Sequence, residues 1–299
     1  MATTGVIHEQ AASLTAVTVE RHTAKRRPRV GLYTILVVYS LISLAPFVYA
    51  IIGSFETYGE ILTTPPSFIP HPATLGNYLE IFSNSSEFHF LTFIGNSLIY
   101  AIGAAFFNVI LGAMAGYAFG RMEFPLKNTL FALTLAVMMI PSYLIMVPKF
   151  LVAYNLHLID SMAALIIPAL VTPTSVLLMT QFLKTLPREL EESARIDGAS
   201  QFRIFWQIIL PLARPALTAV GLLAFQGAWN DFLWPLLVMS NQNNYTLTVG
   251  LTFFKGAHYT EYNLLMAGAT INILPLVILF FIFQRYFVRG ISTAGLSGR

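Results

Sequence analysis

Six stretches of this chain are long enough to cross a bilayer and share one formal charge between them. They are Gly31–Phe55, Phe88–Gly120, Asn128–Pro148, Ser161–Leu183, Pro215–Ser240 and Tyr262–Gln284, and the charge is Asp231. A spanning helix needs about 20 apolar residues, and backbone in hydrocarbon must satisfy its own hydrogen bonds, which only helices and closed barrels do. Unbroken apolar runs select helices. Composition agrees, because 56% hydrophobic and 10% charged residues, with a mean hydropathy of +0.68, leave too little polar surface for a water-soluble domain. We expect an all-α membrane protein of six transmembrane helices, at about 31–55, 92–120, 128–148, 161–183, 215–240 and 262–284. The second run is too long for one span, so its first residues lie outside the bilayer.

Lys and Arg set the orientation. The amino-terminal tail holds Arg21, Lys25, Arg26, Arg27 and Arg29; the second connection holds Arg121 and Lys127. The fourth holds Lys184, Arg188, Arg195, Arg203 and Arg214, and the carboxyl end Arg285, Arg289 and Arg299. The remaining connections have only Lys149 and Lys255. Fifteen against two places both termini and the 184–214 loop in the cytoplasm by the positive-inside rule. The basic balance reports topology, not nucleic-acid binding, since no basic face forms. Residues 1–28 read as a mobile cytoplasmic tail ahead of a permease domain, 29–299, whose first apolar run is too long for a cleavable signal. Cysteine is absent, which removes thiolate chemistry and disulfides. The segment Glu56–Glu87, with Pro65, Pro66, Pro70 and Pro72 and no Lys or Arg, is long enough for an ordered cap or docking surface, or is a plain connector.

The loop between the fourth and fifth runs reads as helix, tight turn, helix. Pro187 fits a first helical turn, Glu189, Glu191 and Glu192 complement the helix dipole, Gly198 suits a left-handed stop and Ser200 a cap for the next helix. Glu191 and Arg195 make an i, i+4 pair. The second helix carries Phe202, Phe205, Trp206, Ile208 and Ile209 and should pack back on the bundle. Such a loop either docks a soluble partner or lies on lipid headgroups; three carboxylates on the first helix disfavour an anionic surface.

Glu192-Ser193-Ala194, three residues, Gly198, nine residues, then Ile208, Leu210 and Pro211 resembles the Glu-Ala-Ala loop of permease subunits of binding-protein-dependent ABC importers. Leu190 to Ala199 is similar to the carbohydrate-uptake branch, in particular the second permease of maltose-type systems. Gly76-Asn77-Tyr78-Leu79, Asn96-Ser97-Leu98, Tyr117-Ala118-Phe119, Met139-Ile140-Pro141 with Pro148, and Trp229-Asn230-Asp231-Phe232 extend the resemblance over residues 30 to 299. The chain departs from the branch at its end, Gly290 to Gly298, where no lysine stands for a tail contact with an ATPase.

The resemblance implies a type I ABC importer permease fold in the plasma membrane of a prokaryote. It implies pairing with a second homologous permease subunit, two ATP-binding subunits and an extracytoplasmic solute-binding protein that delivers a sugar or a related polyol or sugar phosphate. Glu192, Ser193, Ala194 and Gly198 would then sit in an ATPase groove, while Ile208, Leu210 and Pro211 fix the loop to the spans. A non-sugar solute is the alternative within the family. An ion-coupled secondary transporter is the alternative outside it, although the spans offer Asp231 alone for a relay.

The chain shows no phosphate-binding loop pattern before any lysine, so ATP would bind on another polypeptide and this chain needs no cofactor of its own. Nor does it cluster catalytic side chains, so no enzyme is expected. Asn230 and Asp231 belong to the translocation path or to the structure of the outer end of the fifth span. Pro141, Pro148, Pro168 and Pro173 interrupt two central runs as hinges or static kinks, their freed carbonyls re-satisfied by neighbouring helices. Gly112 and Gly116 make a small-xxx-small face for packing within the subunit.

Overall fold

The computed structural model describes residues 30–65, 69–83, 89–256 and 259–294, with side chains to 284. The expected tail 1–28 and the carboxyl-terminal residues from Gly295 lie outside the described residues. Helix α1 is Val30–Gly53; the chain to Pro46 forms one unit and Phe47 onward a second. Within the first unit the hydroxyls of Thr34 and Ser40 donate to the carbonyls of Val30 and Leu36, at 3.0 and 2.8 Å. Those bonds satisfy the polar groups of an otherwise apolar helix.

The second unit contains α2 (Gly76–Phe82), α3 (Phe90–Arg121), α4 (Lys127–Met138), α5 (Met146–Asn155), α6 (Met162–Ile166) and α7 (Pro173–Lys184). It continues with α8 (Glu189–Ile196), α9 (Gln201–Ile204), α10 (Arg214–Trp229), α11 (Leu233–Val238) and α12 (Tyr262–Ala294). Among the described residues, four stretches are long and apolar enough to cross a membrane: Val30–Gly53, Phe90–Arg121, Met162–Lys184 and Tyr262–Gln284. A fifth forms if Gln201–Leu212 and Arg214–Trp229, which meet at 80°, count as one.

Three of the six expected runs are not single helices, the fourth being divided between α6 and α7 ahead of Pro173. The third breaks after the 12 residues of α4, because Pro141 has no N–H to offer the carbonyl of Val137. That carbonyl accepts from Ile140 N–H at 3.2 Å instead, and the chain turns before α5. The fifth divides at residues 230–232, between α10 and α11.

Helix α3 packs against both α7 and α10. A Cβ added at Gly112 would lie 3.0 Å from Ser175 Cβ, and one at Gly116 only 2.4 Å from Met179 Cβ. The two glycines therefore let α3 and α7 approach closely within the chain, as their spacing predicts. Two apolar clusters result. One gathers Tyr117, Met179, Leu183, Ile204, Ile209 and Val220; the other holds Phe93, Leu165, Trp229, Trp234 and Leu247.

Each proline inside the α6–α7 and α10–α11 stretches frees the carbonyl four residues before it, and in three cases a side chain from elsewhere takes that carbonyl up. Pro168 frees Ala164, which accepts from Trp234 Nε1 at 2.9 Å. Pro173 frees Ala169, which accepts from Asn108 Nδ2 at 2.6 Å. Pro235 frees Asp231, whose carbonyl accepts from Thr248 Oγ1 at 2.7 Å. In these three cases the freed carbonyl is paired, which helps to make the break tolerable in an apolar setting.

Candidate functional site

The polar loop folds as its residues dictate. Helix α8 opens with Glu189, Glu191 and Glu192 in its first turn, Gly198 adopts φ +81°, and Ser200 Oγ accepts from Arg203 N–H at 3.3 Å to cap α9. Past α9 the helix widens to a π-turn over Phe205–Ile209, just before Pro211, which has no N–H to continue the regular ladder. The 80° bend into α10 follows.

Beneath α8 lies a buried ionic network. Arg121, the last residue of α3, directs Nε to Glu191 Oε1 at 2.5 Å. Its Nη1 and Nη2 donate to the carbonyls of Leu186 and Pro187 at 2.8 and 3.0 Å. Both side chains are buried, at 3% and 7% exposure. Glu191 Oε2 accepts from Tyr117 OH at 3.2 Å, Tyr117 OH accepts from Gln201 Nε2, and Gln201 Oε1 accepts from Arg195 Nη2 at 3.2 Å. One circuit thus ties the end of α3 to α8 and α9. Removing water from two charges is costly, and it is offset here by close geometry and a full set of partners.

A second polar region surrounds the break between α10 and α11. Asp231, half-buried, accepts from Tyr100 OH on Oδ2 at 2.9 Å. Lys149 of α5 places its ammonium 3.8 Å from the centroid of the Trp234 ring, a cation–π contact. A cavity of about 520 Å³ is lined by Ser142, Lys149, Asn230, Asp231 and Trp234, among others. Asp231 also borders a cavity of about 370 Å³ that reaches Asn108 and Thr172. Beyond α11, Asp160 accepts from the N–H groups of Ser240 and Asn241 at 3.1 and 3.0 Å and from Asn244 Nδ2 at 3.1 Å. The backbone bond from Asn241 above all holds its carboxyl below the ordinary value.

The structure sorts the expected loop residues by face. Glu192, Ser193 and Gly198 are exposed, Ile208 and Leu210 half-buried. Ala194 lies at 7% exposure in the cluster around Tyr117 and Met179, on the same face as Glu191 three residues earlier. Pro211 is exposed, so the loop is fixed by Ile204, Phe205 and Ile209, buried in that cluster. Phe202 also departs from expectation, standing 69% exposed, one position off the buried stripe. Sequence reasoning missed Arg121 and Lys149, counting both only as topology markers, and paired Glu191 with Arg195 alone. That pair exists, but at 3.8 Å, and is the weaker of the two.

Residues 108–293 match the family model described as binding-protein-dependent transport system inner membrane component. An arabinooligosaccharides transport system permease protein of Halalkalibacterium halodurans is 35% identical, over 87% of this chain and 93% of that one. A chain of a bacterial ABC transporter involved in the import of the acidic polysaccharide alginate superposes with a TM-score of 0.76 at 22% identity, covering 86% of this chain and 95% of that chain. A second structure, of an alginate ABC transporter in complex with an alginate pentasaccharide-bound periplasmic protein, gives 0.63 at 13% identity, covering 85% and 93%.

Proposed function

Because the chain belongs to the family of binding-protein-dependent transport system inner membrane components, we propose that this permease subunit forms half of the membrane pathway of an ATP-driven importer. Its cargo is a sugar or a related polyol or sugar phosphate. It is a multi-pass transporter subunit, not an enzyme. In this reading it crosses the plasma membrane six times with both termini inside, α4 with the turn after it supplying the third crossing and the bent α10 with α11 the fifth. It pairs with a second permease, receives cargo from an extracytoplasmic binding protein and is driven by two ATP-binding subunits that hold the ATP. The arabinooligosaccharide relative supports the sugar assignment, and the alginate transporter complexed with its periplasmic protein supports the binding partner.

The observation that carries the reading is the buried Arg121–Glu191 pair, which couples a loop with exposed Glu192, Ser193 and Gly198 to a spanning helix. Glu192 and Ser193 engage the ATPase groove, Gly198 makes the turn, and Ala194, Ile208 and Leu210 hold the loop against the spans. Glu192→Ala and Gly198→Val, placed in the complete transporter in proteoliposomes, should lower uptake by at least about tenfold, the equivalent of ~1.4 kcal/mol, and weaken retention of the ATPase. Normal uptake with normal ATPase association would overturn the assignment.

A further inference from the structure

The two cavities beside Asp231 differ in what their polar groups are doing. In the smaller one they are already engaged by the protein: Asn108 gives Nδ2 to Ala169 and accepts on Oδ1 from the N–H and hydroxyl of Thr172, at 2.9 and 3.0 Å. In the larger, Ser142 and Asn230 make no side-chain hydrogen bond among the described residues, and the Lys149 ammonium rests on an aromatic ring with no carboxylate within ion-pair distance. Polar side chains at the ends of broken helices, facing a cavity of this size, have the makings of a solute site.

We propose that the cavity between α5 and the α10–α11 break is a sugar subsite of this subunit, built for a neutral, hydroxyl-rich glycosyl unit. The inference rests on the importer reading and adds to it the residues that meet the cargo and the charge they select. A hydroxyl both donates and accepts, so it pairs with Lys149 and with Asp231 at once. A uronate would gain the cation but be set against the anion in the same 520 Å³ space, and the balance of one charge of each sign favours the neutral sugar. Asp231 is already oriented by Tyr100, which fixes its carboxylate at the cavity wall. Asn230 and Ser142 supply further amide and hydroxyl groups.

The chain has no cysteine, so in a transporter whose partner subunits have been made cysteine-free a single introduced thiol reports cleanly. Ser142→Cys should react with anionic and cationic methanethiosulfonates at rates within about threefold of each other. Asp231→Asn should shift that ratio about tenfold toward the anionic reagent, and Lys149→Gln about tenfold the other way; tenfold is ~1.4 kcal/mol. Arabinotriose at tens of millimolar should slow modification of Ser142→Cys more than trigalacturonate does, and neither should slow it at Tyr259→Cys, 62% exposed in the connection before the last span. If Asp231→Asn does not assemble, Lys149→Gln carries the charge test alone. An unreactive Ser142→Cys, an unmoved ratio, or protection by trigalacturonate equal to or better than arabinotriose overturns the subsite. None of these outcomes touches the coupling-loop test, so the two readings fail separately.

Discussion

Two regions of this molecule each set one cation against one anion, and they use them in opposite ways. At the end of α3, Arg121 and Glu191 lie 2.5 Å apart with hardly any exposed surface, and the guanidinium also takes two backbone carbonyls. At the α10–α11 break, Lys149 and Asp231 border one open cavity without forming an ion pair. The difference teaches how to tell a structural charge from an available one. A charge enclosed with its counter-charge holds elements together, whereas Lys149 and the Tyr100-anchored Asp231 still border open space that a solute can enter.

Breaking the first pair should have the largest effect. Arg121→Ala leaves Glu191 buried without its cation, and losses of this kind run to about 3–5 kcal/mol; thermal unfolding of the purified complex should show it. Replacing both partners with apolar residues, Arg121→Met with Glu191→Leu, should recover most of that loss. A double variant as unstable as the single one would mean that the pair contributes more than compensation of its own desolvation.

Next in size is the packing that brings α3 up to the network. Gly116→Val must fit a Cβ 2.4 Å from that of Met179, and overpacking of this sort costs about 1–3 kcal/mol. Gly112→Ala, with its Cβ at 3.0 Å from Ser175, should cost less, and the ranking can be read from melting temperatures.

Asp160 gives a pH-resolved comparison on an exposed loop. Its carboxyl titrates below the ordinary 3.8 in the folded protein, so its ionised form stabilises the fold above that value and the contribution disappears as pH falls through the folded-state value. The stability difference between wild type and Asp160→Asn should therefore be flat near neutrality and shrink in acid. A difference that grew on acidification would contradict the geometry. Smallest of all is Lys149→Gln, which removes one cation–π contact worth about 0.5–1 kcal/mol at an exposed site. Its melting temperature should hardly move, and a large drop would show that Lys149 is as structural as Arg121, erasing the contrast between the regions.

Much of this was legible in the sequence because it is local. Gly198 and Ser200 announce their turn and cap by residue type, and the spacing of Gly112 and Gly116 announces a close approach before the partner helix is known. The Arg121–Glu191 pair was not legible, because its members stand 70 positions apart and a basic residue at the end of an apolar run looks the same whether it marks topology or enters the interior. That Ala194 lies on the buried face was not legible for a related reason: a motif fixes which residues recur, not which face of a two-turn helix is turned inward. Pro141 marked an interruption of the third run in the sequence, but whether it would be a mild kink or the end of α4 was not legible, because hydropathy continues unbroken through it.

The three prolines and the side chains that answer them, Pro168 with Trp234, Pro173 with Asn108 and Pro235 with Thr248, carry a consequence for how this chain can change over generations. Each proline creates the vacancy that its distant donor fills, so neither residue has the same value without the other. Restoring the amide by Pro173→Ala gives the Ala169 carbonyl a second donor, which its two lone pairs can accept beside Asn108; losing Asn108 first leaves that carbonyl with no donor in its place. The two orders are unequal: losing the donor while the proline remains strands a carbonyl, whereas losing the proline first does not. A chain that sheds such a proline can later shed its donor, but the donor cannot go first without cost.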